Sequence, residues 1–106
     1  MGICYLRGWS LDKAPGEKLA RADVEHNGHT ITRVQITGDF YIYPEEGLAL
    51  LEQALVGAQA TLQERELAEQ LETAAAAHHL ELVGLSTPSL ARLVHAAIAK
   101  AVVSPV

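Results

Sequence analysis

The chain changes its hydrophobic period near its middle. Between Glu17 and Tyr43, apolar and polar residues alternate with a period of about two, which is typical of half-buried strands. After Tyr43 the period lengthens to about 3.6, the spacing of an amphipathic helix. We therefore predict a sheet in the first part of the chain and helices in the second.

The alternating part predicts a hairpin that closes at Asn27 and Gly28, because a type I′ turn needs two residues that tolerate positive φ. A strict two-residue loop would pair His26 with His29 and would divide the apolar residues between the two faces of the sheet. One extra residue in the loop, or a bulge, gathers them on one face instead. These residues are Ala20, Ala22, Val24, Val34 and Ile36. We predict that extra residue.

Three amphipathic helices are predicted after Tyr43. The first begins at Pro44 and ends at Gly57, and the second begins with the capping sequence of residues 61–64 and ends near His79. The third begins at residues 87–88, where Thr87 is the predicted cap, and frays before Pro105. The inner stripes of the three helices are Leu48, Leu51 and Leu55; Leu67, Leu71, Ala74, Ala75 and His78; and Leu90, Leu93, Val94, Ala97, Ile98 and Ala101.

Together these elements predict an α+β fold, in which a small antiparallel sheet built on the hairpin of residues 17–43 is followed by three amphipathic helices packed on one face. The same alternation predicts that the second strand continues through Phe40 and Ile42. Residues 1–16 have no clear period, so we predict an N-terminal arm, with Ile3 to Leu6 as a candidate further strand. Residues 17–103 then form a single domain.

Charge and composition exclude several classes of protein. The 106 residues carry a formal net charge of −5, and the excess of acidic residues lies after Tyr43. An acidic chain without a cluster of lysine and arginine lacks the electrostatic features of proteins that bind nucleic acid or anionic membranes. Cys4 is the single cysteine, and neither a leader sequence nor an apolar run of about 18 residues is recognisable. We expect a cytoplasmic protein with no nucleic-acid and no membrane partner.

Side chains suited to catalysis are sparse. The glycines match neither the P-loop nor the dinucleotide-binding pattern, and no spacing marks a catalytic triad, so we expect no catalytic residue and no cofactor bound by this chain alone. His26 and His29 flank the predicted turn, and His78 and His79 are neighbours near a helix end. Two such pairs do not supply three or four converging ligands, so we expect no metal site. We interpret the first pair as solvated turn residues, and His78 as a partner of the helix dipole.

The segment from Gly38 to Phe40 interrupts an otherwise regular strand. A glycine inside a strand often marks a bulge or the close approach of another backbone or a ligand. Two interpretations stay open from the residues alone. Either Asp39 braces the turn into the first helix and Phe40 fills the core, or the segment forms a binding surface.

A wider pattern surrounds this segment. It consists of residues 32–40, which end in Gly-Asp-Phe, of Pro-Glu-Glu at 44–46, and of the helix end at 51–57. This pattern resembles the C-terminal accessory domain of lipoate-protein ligases. Residues 13–19 resemble the versions in which that domain is a separate small subunit, and the resemblance extends from about residue 13 to residue 102.

The resemblance implies one part of an enzyme. The family activates lipoate with ATP to lipoyl-adenylate and then transfers the lipoyl group to a lysine of an acceptor domain in 2-oxoacid dehydrogenase complexes or in the glycine cleavage system. The sites for ATP, lipoate and magnesium belong to the large catalytic subunit. The resemblance implies that this chain is a non-catalytic accessory subunit, which forms a heterodimer with the large subunit and serves the acceptor domain indirectly. Its partner-binding residues would be Lys18, Gly38, Asp39 and Phe40, acting in contact and closure.

Two other functions stay open at this point. The first is a stand-alone acidic α+β module that binds other proteins and has no link to lipoate. The second is a sulfur-acceptor protein that uses Cys4, because the implied fold also resembles sulfur-acceptor and iron–sulfur scaffold proteins. Those proteins carry a reactive cysteine at a defined loop position, and Cys4 does not match it.

Overall fold

The computed structural model describes residues 5–103 of the chain. Over these residues the strands and helices form an α+β fold, which confirms the predicted class. The elements are β1 (Leu6–Asp12), β2 (Ala20–His26), β3 (Ile31–Gly38), β4 (Tyr41–Tyr43), α1 (Gly47–Leu55), α2 (Glu64–Ala77), β5 (Glu81–Val83), α3 (Thr87–Ala99) and β6 (Val102–Val103).

The main sheet has four antiparallel strands in the order β3-β2-β1-β6. Its strand β1 lies within the stretch predicted as an arm and pairs with β2 along its whole length. The candidate strand therefore begins at Leu6 and runs further along the chain, while Ile3 lies outside the described residues. Only Gly8 and Ser10 are buried on its inner face, so the strand has no row of apolar positions to reveal it.

The predicted extra residue is present in the hairpin. Glu25 pairs with Arg33, whereas His26 pairs with Ile31, so Thr32 is the additional residue on β3. The hydroxyl Oγ1 of Thr32 donates a hydrogen bond to the Glu25 carbonyl oxygen at 3.1 Å. The five apolar side chains that the bulge was expected to gather on one face are all buried. The prediction is confirmed.

The strand predicted to continue to Tyr43 ends at Gly38, so that part of the prediction is wrong. Strand β4 is a separate element that pairs with β5 in a two-stranded antiparallel sheet. Asp39 and Phe40 connect it to β3. Alternation alone could not reveal the break, because it says which residues face inward and not which strand pairs with which. The three residues of β5 are too few to show a period.

Helix boundaries differ from the predictions by a few residues. Helix α1 begins at Gly47 and not at Pro44, which follows a cis peptide bond and precedes a turn. The capping box of α2 is built by Gln63 and Glu66. The cap of α3 is Ser86, whose hydroxyl accepts a hydrogen bond from the Ser89 amide. The N-caps of α2 and α3 are extended residues with polar side chains, two positions and one position from the predicted caps.

The helices pack on one face of the main sheet, as predicted. Helix α3 lies against β1 and β2, α1 lies against β3, and α2 packs on both helices. The largest fully buried side chains come from both layers and are Val24, Ile31, Leu51, Leu55, Leu67, Leu71, Leu90 and Val94. Each contributes about 1.5–3 kcal/mol through removal from water. His78, predicted on the inner stripe of α2, is exposed instead, because it follows the last helical residue.

Helix α3 approaches the sheet closely where β1 carries small residues. A Cβ atom on Gly8 would overlap the carbonyl oxygen of Ala97 and the backbone of Ala101. The Ser10 hydroxyl donates a hydrogen bond of 2.5 Å to the Leu93 carbonyl oxygen. Within residues 5–103 no helix is long and apolar enough to cross a membrane.

Candidate functional site

The four residues predicted to bind a partner lie together where β2 begins and β3 ends. The amide of Asp39 donates a hydrogen bond to the Leu19 carbonyl oxygen at 3.1 Å, which extends the hairpin ladder by one pair. The amide of Lys18 donates to the Gly84 carbonyl oxygen at 2.8 Å. These bonds join the start of β2, the connection from β3 to β4, and the end of β5. We call this group, formed by Lys18, Leu19, Gly38, Asp39, Phe40 and Gly84, the strand junction.

Two glycines permit the close approach of chains at the strand junction. A Cβ atom on Gly38 would overlap the Leu19 carbonyl oxygen. A Cβ atom on Gly84 would lie 2.7 Å from Cγ of Lys18, and Gly84 also has a φ of +87°, a conformation that favours glycine. The stem of the Lys18 side chain therefore lies against Gly84, and Lys18 is exposed.

Phe40 and Asp39 have different roles in the junction. Phe40 is half-buried and packs against the hydrophobic core, as one of the two interpretations from the sequence expected. Asp39 is exposed, and its backbone amide, not its carboxylate, braces the connection. Among residues 5–103 the carboxylate of Asp39 and the ammonium of Lys18 each lack an ion-pair partner. Both charges are therefore available to a partner.

An exposed aromatic surface adjoins the junction and was not predicted from the sequence. Tyr41 and Tyr43 lie on the outer face of β4, with exposures of 66% and 55% and ring centroids 6.4 Å apart. Val83, directly opposite Tyr41 on β5, is 45% exposed. We call these three residues the tyrosine patch. Exposed groups of large apolar side chains mark protein interaction sites, and the patch continues along the chain from Phe40 and Gly84.

Glu17 fixes the chain next to Lys18. Its carboxylate accepts hydrogen bonds from the Ser86 hydroxyl at 3.0 Å and from the Ser86 amide at 3.4 Å, at the N-terminus of α3. Burial raises the pKa of Glu17, but hydrogen bonds from Ser89 and Ser86 and the charge of Arg92 together outweigh it, so the pKa lies below its ordinary value. The ionised carboxylate therefore ties the start of β2 to α3 at neutral pH.

Carboxylates lie at the N-termini of α2 and α3. Phosphate groups bind well at helix N-termini, but Glu17 already occupies that position at α3, and Glu64 and Glu66 lie in the first turn of α2. A depression of about 540 Å³ between α1 and α2 has alanines and the carboxylates of Glu66 and Glu69 among its lining residues. These carboxylates repel a triphosphate.

Of the two histidines predicted as solvated turn residues, His29 is exposed and His26 is not. His26 is buried, not solvated, because it faces the core at the end of β2. Its Nδ1 accepts a hydrogen bond of 3.1 Å from the Gly28 amide, and its buried Nε2 has no partner within residues 5–103. His29 and His78 are exposed. In the same part of the chain no three His, Cys, Asp or Glu side chains lie close enough to hold a metal ion, and Cys4 lies outside it.

The chain is a small α+β protein in which helices cover one face of an antiparallel sheet. An exposed aromatic surface, the tyrosine patch, lies next to the strand junction. Among solved structures, the chain is similar to one from an archaeal lipoylation system of Thermoplasma acidophilum, described as a bi-partite lipoate protein ligase and its E2 lipoyl domain. The TM-score is 0.63 at 19% identity, and the alignment covers 89% of this chain and 97% of that chain. The chain therefore has the fold of a component of a lipoylation system. Comparison with models of protein families gives no match, and neither does comparison with curated proteins.

Proposed function

We propose that this chain is the non-catalytic accessory subunit of a two-component lipoate-protein ligase and acts in the cytoplasm in protein lipoylation. The observation that carries the proposal is the fold similarity to a chain of the bi-partite ligase system, because it spans nearly the full length of both chains. The two chains are therefore of similar size. The sequence resemblance around Gly38, Asp39 and Phe40 supports the same conclusion independently of the fold.

In the proposed reaction the large subunit binds ATP, lipoate and magnesium. The lipoate carboxylate attacks the α-phosphorus of ATP, which forms lipoyl-adenylate and releases pyrophosphate. The amine of the acceptor lysine then attacks the acyl carbon, loses a proton and displaces AMP, which leaves an amide. The acyl-adenylate is a mixed anhydride that water would hydrolyse, so a subunit that closes the site protects it.

We assign the contact with the large subunit to the strand junction and the tyrosine patch. The patch supplies aromatic side chains, which anchor protein interfaces most strongly. Lys18 and Asp39 carry opposite, unpaired charges on a backbone that hydrogen bonds hold in place, so they orient the partner without reorganising first. A stable interface buries about 1,200–2,000 Å² in total, and these two neighbouring surfaces form its centre.

Reconstitution with the large subunit tests the proposal. The purified chain is mixed with the large subunit, ATP, magnesium and lipoate, and lipoyl-adenylate and pyrophosphate are measured with each subunit alone and with both. We expect adenylate only when both are present, together with a stable complex in analytical ultracentrifugation. A large subunit that is equally active alone, and that does not bind this chain, would contradict the proposal and would favour the stand-alone interaction module.

A further inference from the structure

The face of the main sheet opposite the helices carries an ordered array of side chains. Within residues 5–103 no helix or strand covers this face, which we call the open face. Neighbouring residues on adjacent strands lie directly opposite each other and interact. The three rows across β1, β2 and β3 are Arg7, Glu25 and Arg33; Trp9, Asp23 and Gln35; and Leu11, Arg21 and Thr37.

Trp9 and Arg21 form a preorganised pair in the middle of the open face. Cζ of Arg21 lies 4.4 Å from the centroid of the Trp9 ring. Two hydrogen bonds of 2.9 and 3.0 Å from the guanidinium to Asp23 fix the same group from a second side. Trp9 is still 52% exposed. Tryptophan and arginine carry a large share of binding energy at protein interfaces, and little entropy is lost when they are already ordered.

The charges of the open face are layered, with cations outermost. Arg7 and Arg33 lie on either side of Glu25, with N–O distances of 4.0 and 3.8 Å. The arginine side chains are 60% and 61% exposed, whereas that of Glu25 is 25% exposed. A partner therefore meets guanidinium groups first, on a chain whose formal net charge is −5. Arg7, Glu25 and Arg33 are among the residues that line a depression of about 210 Å³, which can receive a side chain of the partner.

We infer that the open face binds an acidic surface of the lipoyl acceptor domain, the protein that receives the lipoyl group. The inference rests on the proposed function. The tyrosine patch is the more apolar surface, which suits a lasting complex with the large subunit, whereas a charged face suits a partner that leaves after each transfer. Electrostatic complementarity of this kind speeds the encounter and makes binding sensitive to salt.

Trp9 makes a direct test possible, because it is the single tryptophan of the chain and its fluorescence reports on the open face. The full chain is titrated with an acceptor domain that lacks tryptophan, in low and in high salt. The double variant Arg7→Glu/Arg33→Glu is compared with Arg65→Glu, a single charge reversal at an 89% exposed position on α2. We expect Kd to rise at least about tenfold in the double variant and in high salt, and to stay within about twofold in Arg65→Glu.

A second variant guards against loss of folding. Glu25 would face two new carboxylates in the charge reversal, so Arg7→Gln/Arg33→Gln removes the charges without adding repulsion, and circular dichroism checks that each variant folds. We expect an intermediate loss of affinity. In the complete reaction, KM for the acceptor domain should rise by a similar factor while the rate of lipoyl-adenylate formation is unchanged.

The outcomes separate this inference from the proposed function. An unchanged Kd in both double variants, an equal loss in Arg65→Glu, or a Trp9 signal that responds only to the large subunit would overturn the inference. If adenylate formation depends on the chain but Trp9 does not respond to the acceptor domain, the proposed function stands and the inference falls. If Trp9 responds but adenylate formation does not need the chain, the open face still binds the acceptor domain and the proposed function falls.

Discussion

Gly38 shows how one missing side chain sets the geometry of the strand junction. Its position leaves no room for a Cβ atom against the Leu19 carbonyl oxygen. We predict that Gly38→Ala lowers the free energy of unfolding by about 1–3 kcal/mol, since overpacking forces the backbone to shift. Urea denaturation measures the change. Gly16→Ala is the control, because Gly16 also has positive φ but open space around it, and a larger loss there would contradict the steric argument.

Asp39 offers the sharpest single test of the partner surface. Its carboxylate is exposed and has no ion-pair partner among residues 5–103, so we predict that Asp39→Ala changes stability by less than about 0.5 kcal/mol. We expect it to weaken association with the large subunit by about tenfold and to lower adenylate formation in parallel. Glu69→Ala on α2 is the charge-matched control. Unchanged association and unchanged activity would remove the role assigned to Asp39.

Glu17 makes stability depend on pH in a defined direction. Its pKa in the folded chain is below the ordinary value of 4.5, because hydrogen bonds to the carboxylate outweigh burial. The unfolded chain therefore binds the proton more readily, so the stabilisation is complete above about pH 5 and is lost as pH falls through the folded pKa. We predict that Glu17→Gln lowers Tm at pH 7 and that the difference from the native chain shrinks below pH 4.5. Thermal unfolding of both chains between pH 3 and 7 measures this difference. A Tm difference that does not depend on pH would contradict the role of the ionised Glu17 carboxylate.

At the scale of elements, helix α1 protects the edge of the main sheet. The Glu52 carboxylate accepts a hydrogen bond of 2.7 Å from the Ile36 amide on the edge strand β3. Exposed strand edges pair with other chains unless they are blocked. We predict that Glu52→Ala lowers the free energy of unfolding by about 1–2 kcal/mol and promotes self-association. We expect both effects to be smaller in Glu52→Gln, because glutamine keeps a hydrogen-bond acceptor. Sedimentation velocity and urea denaturation measure both effects, and a monomer of native stability would refute them.

The sequence predicted those elements whose inner faces are apolar. The bulge at Thr32 followed from the need to put Val24 and Val34 on one face, because alternation fixes register wherever a face is buried. Strand β1 could not be recognised in the same way. Its buried inner positions are Gly8, which the close approach of α3 requires, and Ser10, which bonds to α3, and neither carries a hydrophobic signal.

The candidate site was predicted in part. Lys18 and residues 38–40 were singled out together, and the structure brings them to one junction because the β2–β3 ladder and the end of β5 meet there. The tyrosine patch was missed, although a signal was present: Ile42 lies between Tyr41 and Tyr43, so one buried residue implies two exposed aromatic neighbours. Sequence spacing could not show that Val83 lies opposite Tyr41, since that pairing joins two elements separated by two helices.

At the scale of the whole molecule, the division of charge along the sequence becomes a division in space. Acidic residues after Tyr43 lie mainly on the helical layer, and α2 contains Glu64, Glu66 and Glu69. The arginines of the first part lie on the open face. A protein of net negative charge thus presents one side with cations outermost, so overall charge is a poor guide to the partner that this side selects.

The pairing of β1 with β6 has a consequence for how such a protein can be linked to another. Leu6 and Val103 are direct partners at one edge of the sheet, so the two ends of the described chain leave the molecule side by side. A flexible tether at either end starts from almost the same point. Covalent fusion to a larger polypeptide would therefore turn a bimolecular association into an intramolecular one, with a local concentration in the millimolar range for a short linker, whichever end carries the join.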